Sequence, residues 1–171
     1  MKKITLMLML SITTIFAYAQ DDVDRELKQM KQELAGGYKQ WVWKSQKMKF
    51  AIPATMKVTT NNANEFHAKD SENEFAMYVW QNVEVTAEEM KTAVYTVADQ
   101  YMDNLTMADD HDIDDFEGAY VVGDYQGHKT VFFGLIDKRG GTNFFTMIIF
   151  NEADDFSVEQ ALKIIDSIDR L

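Results

Sequence analysis

Cysteine is absent from all 171 residues, and proline occurs once, as Pro53. Without a thiol there is no disulfide framework, no thiol nucleophile, no Cys-ligated metal and no N-terminal cysteine for a lipid anchor. Stability must come from a packed core, which a chain of this length supplies by burying roughly 70% of its unfolded surface in one domain. Basic residues are also scarce, with 17 Lys and Arg against 28 Asp and Glu and a formal net charge of −11. Such a surface repels phosphate backbones and anionic headgroups, so nucleic acid and membrane surfaces are discounted as partners. The charge fits solubility first, and a cationic partner or a divalent ion second. The three histidines, His67, His111 and His128, lie in separate segments without the i, i+4 spacing of a zinc pair. A G-x-S-x-G elbow is missing, and the glycines fall in strands and turns and not in a phosphate-cradling loop.

Long apolar runs are missing as well. The leading one, from Ile4 to Ala17, follows Lys2 and Lys3 and ends at Ala17-Tyr18-Ala19. It is too short for a span, which needs ~20 apolar residues, and has the basic start and small-x-small end of a secretory signal peptide. The expectation is cleavage after Ala19, a mature chain beginning at Gln20, and a periplasmic or secreted protein with no membrane span.

Residues 22–35 read as a helix with Val23, Leu27, Met30 and Leu34 on a narrow stripe, stopped by Gly36-Gly37. Tyr38, Trp41 and Trp43 follow, and then Met48, Phe50 and Ile52 alternate with polar or small residues up to Pro53. The aromatic pair is at odd positions and the Met-Phe-Ile set at even ones, so a bend or bulge is expected near Ser45. A meander over 57–60, 65–68 and 74–79 is separated by polar turn segments. Thr86 and Glu89 make a capping box for a helix whose apolar face is Met90, Ala93, Val94, Val97, Ala98, Tyr101 and Leu105. Strands over 116–123, 129–136 and 143–150 follow, the last two apolar at both parities, which requires both faces to be covered. Ser157 and Gln160 suggest a second capping box, opening a final helix with Val158, Ala161, Leu162, Ile165 and Ile168 on its apolar side. The fold class expected is α/β of the α+β type: a largely antiparallel sheet sandwiched between helices, α/β/α.

Two short stretches, Lys49-Phe50-Ala51-Ile52-Pro53 and Ile164-Ile165-Asp166-Ser167-Ile168, carry a family likeness. The first is similar to the F-x-I-P entry strand, and the second to the closing I-x-S-I helix, of the PsbP-like fold superfamily. That superfamily includes the extrinsic subunit of photosystem II and a nuclear-transport factor acting on a small GTPase. The chain resembles it over about residues 47–171, with residues 1–19 as leader and 20–46 as N-terminal helix and aromatic connector. The resemblance implies a sheet-and-helix sandwich and a non-enzymatic partner in an assembly.

Three candidate chemistries follow. Tyr38, Trp41 and Trp43 are candidate partner-binding residues for a protein of the cell envelope, since exposed aromatics serve recognition, although rings of this size more often fill cores. Asp110, Asp112 and Asp114 match the first three ligand positions of a calcium loop, but Asp115 stands where glycine is needed and Val121 where a bidentate Glu is needed. They are at most a weak calcium site, and a solvated acidic loop explains them as well. No catalytic residue and no cofactor is assigned. The function expected is an exported, non-enzymatic binding or assembly module, with an envelope-acting hydrolase of non-contiguous site as the alternative.

Overall fold

The computed structural model describes residues 37–80, 84–152 and 156–171. Two compact units divide the chain, Met1–Lys39 and Gln40–Leu171. The expected leader, the cleavage site and the helix over 22–35 lie outside the described residues. In the second unit, period-two patterning has become two sheets. One has the order β1 (Tyr38–Trp43), β2 (Met48–Pro53), β10 (Asp169–Arg170). The other has seven strands in the order β3 (Lys57–Asn61), β4 (Glu65–Lys69), β5 (Asn73–Val79), β9 (Phe144–Phe150), β8 (His128–Asp137), β7 (Phe116–Tyr125), β6 (Asp109–Asp110). Every pairing in the larger sheet is antiparallel.

Register assigns each residue to a face. Phe75, Ile148 and Val131 lie opposite one another across β5, β9 and β8, and Ala76, Met147, Phe132 and Val121 form the neighbouring row on the other face. The first face is sealed by rings from β1 and β2. The Phe50 centroid is 4.8 Å from that of Phe66 and 5.3 Å from that of Phe75, and Trp43 meets Phe144 edge-on at 5.9 Å. Helix α2 (Val158–Asp166) packs beside β2 and buries Ala161, Ile164 and Ile165. The bend expected near Ser45 is a 3-10 turn at Lys44–Gln46, closed by Lys47 at φ 52°. It resets the strand parity, which is why odd-numbered Trp43 and even-numbered Phe50 both reach the core.

The second face is covered by helix α1 (Ala87–Tyr101), over β7 and β8. Its capping box is complete: Thr86 Oγ1 accepts from Glu89 N, and Thr86 N donates to the Glu89 carboxylate. Met90, Val94 and Ala98 are buried against Val121, Phe132 and Phe145. Contact is close at Gly134, where a Cβ would sit 2.6 Å from Val94 Cγ2 and nearer still to Met90 Sδ.

The antiparallel sheet with its two helices is the α+β architecture expected, and three local readings change. Helix α1 ends at Tyr101, so Leu105 is not on it. The chain turns extended at Met102, and Asp103 pairs with Asp124 on β7, exchanging both backbone hydrogen bonds at 2.8 Å. That leaves Tyr101 67% exposed while Met102 takes the buried position. Helix α2 ends before Ile168, because the last residues join β2 in the register Asp169↔Lys49 and Arg170↔Met48. Lastly, the cover over β9 is partial: Phe145 is buried, but Met147 and Ile149 are only half-buried on the side where α1 does not reach.

Candidate functional site

The residues singled out by sequence separate widely. Trp43 is fully buried, and its indole Nε1 donates to the Asn62 carbonyl. A tryptophan so placed joins the two sheets and presents nothing to a partner, so it leaves the recognition candidates. Trp41 is half-buried with its ring tilted on Phe66, and Tyr38 is half-buried at the start of β1. Asp110 pairs with Lys91 at 3.0 Å, and Asp112 accepts from Gly118 N at 3.2 Å. Among the described residues no group of three or more acidic or histidine side chains is placed to hold a metal. Asp110, Asp112 and Asp114 therefore do not converge as calcium ligands: two of them are taken up by the helix and strand that border their loop. The histidines are also dispersed, His67 on Glu74 at 3.3 Å, His111 on Asp166 at 2.7 Å, and His128 on the Asn151 carbonyl.

The shifted acids have structural causes. Lys129 and then Asn104 hold Asp124 below the usual carboxylate range, and Lys49 does so for Asp169. Glu89 is lowered by the Thr86 backbone and hydroxyl that it caps. For Asp70, burial opposes ionisation, but hydrogen bonds from Thr55, Asn73 and Glu72 outweigh it. Ser167, which neighbours the His111–Asp166 pair, has its hydroxyl engaged by Ala51 and the Ile164 carbonyl. It is a backbone clasp between α2 and β2.

A network that sequence reasoning missed closes the bottom of the core. The Arg170 guanidinium pairs with Asp137, donates to the Gln46 carbonyl, and lies 5.2 Å from the Phe116 ring centroid and 5.6 Å from that of Phe144. Asp115 accepts from Arg170 N and pairs with Arg139. The Arg170 and Asp137 side chains are 11% and 6% exposed, so this is a buried ion pair satisfied by neighbours, and its partners are engaged by the fold.

Among the described residues, the part of the second face beyond α1 is left uncovered. Between the C-terminal half of α1 and the sheet is a hollow of about 270 Å³, walled by Val97, Tyr101 and Met102 and floored by Tyr78, Phe145 and Met147. Tyr125 and Phe132 close its far side. Val97 is shared with a shallower hollow toward the start of α1, where Trp80, Glu88 and Ala93 are exposed to it. The two hollows adjoin along the helix, sharing Val97, and the Trp80 and Phe145 ring centroids are 4.7 Å apart at their border. Burial first, then the charges of Glu65, Tyr125 and Glu74, raise the Tyr78 hydroxyl above its ordinary value. Sequence reasoning missed this site: Tyr101 reads as part of the helix's apolar face, and the placement of Tyr78 opposite Glu65 follows only from the register of β4 and β5.

No protein-family model and no curated protein matches the sequence. Solved structures do match. The Ran-binding protein Mog1p of Saccharomyces cerevisiae superposes with a TM-score of 0.54 at 6% identity, over 78% of this chain and 95% of that one. A mutant of Mog1 gives 0.52 at 7% identity, with 78% and 95% covered. A Bacteroides thetaiotaomicron protein gives 0.53 at 12% identity, over 78% of this chain and 48% of its own length. At these identities the likeness is one of fold. It also corrects the kinship drawn from sequence: the likeness found is to Mog1 structures, and PsbP itself is not shown. The two stretches that suggested it hold Phe50, Ile52, Ile164, Ile165 and Ile168, all buried. They record how a strand and a helix pack on a sheet, and many unrelated chains need that pattern.

Proposed function

We propose that this protein is an exported, non-enzymatic binding module that holds a protein partner in the groove between α1 and the open half of the sheet. The observation that carries the reading is the groove itself: Tyr78 and Tyr101 are 39% and 67% exposed on a domain whose other sheet face is sealed. Large aromatics that stay in water at a concave surface are the usual anchors of protein recognition. The fold likeness to a Ran-binding protein supports a partner-binding role in kind, and says nothing of which partner. Export rests on the Lys2-Lys3 start, the apolar run and the Ala17-Tyr18-Ala19 site. Among the described residues no helix is long and apolar enough to cross a membrane.

The test is paired capture from the native host with wild-type protein and the Tyr101→Ala variant. A partner retained by the first and lost by the second supports the groove, while the same partner on both removes it. N-terminal sequencing of the extracellular or periplasmic material should begin at Gln20. Uncleaved chain confined to the cytoplasm overturns the export half of the reading.

A further inference from the structure

Resting on that reading of the groove, we infer that its occupant is an extended basic peptide segment, one arginine among the tyrosines and apolar side chains along the helix. Among the described residues lining the two hollows there is no lysine or arginine. Carboxylates stand at both ends instead. Glu88 lines the end near Trp80, and Glu65 is directly opposite Tyr78 across the β4–β5 ladder. Glu74 belongs to the same rim and is partnered by His67, whereas Glu65 accepts only from the neutral amide of Asn62 among its described contacts. An acidic segment entering here meets like charge from both ends, and a neutral one gains only the apolar wall.

The tyrosine end adds a second reason for a cation. Tyr78, Tyr101 and Tyr125 surround one hollow, and an aromatic face attracts a guanidinium or ammonium placed over it. Arginine suits the place better than lysine, because its planar head stacks on rings while its stem covers Met147 and Val97. Length follows from the helix. The 15 residues of α1 extend roughly 22 Å at 1.5 Å per residue, which an extended peptide covers in about seven residues. β5 is paired on both sides, with β4 and β9, so the peptide is held by side chains and not by joining the sheet.

The experiment uses three acetylated, amidated peptides of one length: Gly-Leu-Ala-Leu-Ala-Leu-Arg-Ala-Gly, the same with citrulline for arginine, and the same with glutamate for arginine. Binding to the mature chain is followed by amide chemical shifts. Saturable shifts at Tyr78, Val97, Tyr101 and Met147 are expected with the arginine peptide below about 1 mM. The citrulline peptide should bind about fivefold more weakly, the factor that a ~1 kcal/mol cation–π contact supplies, and the glutamate peptide not measurably. Glu65→Gln with Glu88→Gln should narrow the gap between the first two peptides, and Tyr101→Ala should weaken both. No saturable shift up to about 1 mM, equal binding of arginine and citrulline peptides, or shifts confined to another surface overturns the inference. If these peptide results fail while Tyr101→Ala still abolishes capture of the natural partner, the basic-peptide assignment alone falls. If Tyr101→Ala leaves capture intact, the groove reading falls and this inference with it.

Discussion

On one face of the seven-stranded sheet, Phe66, Phe75, Phe133 and Phe144 are each 0% exposed, while on the other Tyr78 and Tyr101 are 39% and 67% exposed. The strands are the same; the covers differ. The sealed face receives β1, β2 and α2, whose rings and branched side chains fill the space over β4, β5 and β9. Among the described residues the other face is covered by one helix, which packs on β7 and β8, while Tyr78, Met147 and Ile149 beyond it are not buried. Polarity follows the cover: Glu65, His67 and Lys69 of β4 sit on the uncovered part, opposite Tyr78, Ala76 and Glu74 of β5. A domain can seal one face for stability and leave part of the other for binding only if the residues at the boundary tolerate both, and tyrosine and methionine do so.

The comparison predicts a graded response to substitution. The largest effect belongs to the sealed face: Phe66→Ala, which strips the ring that meets Trp41, Trp43, Phe50 and Phe75, should cost about 3–5 kcal/mol in urea unfolding. A loss below about 1 kcal/mol would mean that face is loosely packed after all. Next comes the ion pair beneath that core. Arg170→Met alone should cost roughly 3 kcal/mol by leaving Asp137 buried and unpaired, and Arg170→Met with Asp137→Leu should recover much of it. A double variant worse than the single would show that Arg170 acts through Gln46 and the rings and not through Asp137.

Smaller effects probe the helix-covered half. Gly134→Ala places a methyl into α1 where Val94 and Met90 already touch the strand, and should cost about 1–3 kcal/mol. Tyr101→Ala, on the open half, should stay within about 0.5 kcal/mol of wild type while changing binding. The least effect is expected from pH. Asp124, held low by Lys129 and Asn104, adds stability that is full above the ordinary carboxylate value of 3.8 and disappears as pH falls through its lower native value. Because the Lys129 side chain is 40% exposed, solvent screens the pair, and Lys129→Met should remove less than about 0.5 kcal/mol at neutral pH and flatten the acid limb slightly. A larger change would place Asp124 in a drier setting than its contacts indicate.

Much of the frame was legible in the chain because it depends on near neighbours. The strands over 57–61 and 73–79 follow from alternation between turn residues, that over 144–150 from a short apolar run after a glycine turn, and α1 begins where Thr86 and Glu89 cap each other. The turn at Lys44–Gln46 was legible too, as a conflict of parity between Trp43 and Phe50. The site was hidden for a different reason. Tyr101 looks like one more residue of an apolar helical face, and only the pairing of Asp103 with Asp124 draws the chain away and leaves its ring outside. Likewise Arg170 and Asp137 are 33 residues apart, and no local pattern marks them as partners. In the acidic loop, whose spacing matches only the start of a calcium site, Asp110 pairs with Lys91 and Asp112 accepts from Gly118 N.

By itself, then, the sequence determined the strand and helix positions, the two-sided burial of β8, and an acidic, cysteine-free chemistry. All of these come from period, capping and composition, which act over a few residues. Tertiary structure alone decided that Trp43 is core and Tyr101 is surface, that the last strand returns to β2, and that the half of the sheet beyond α1 stays open. Those outcomes depend on which distant surfaces meet, and burial is a property of the meeting and not of the residue.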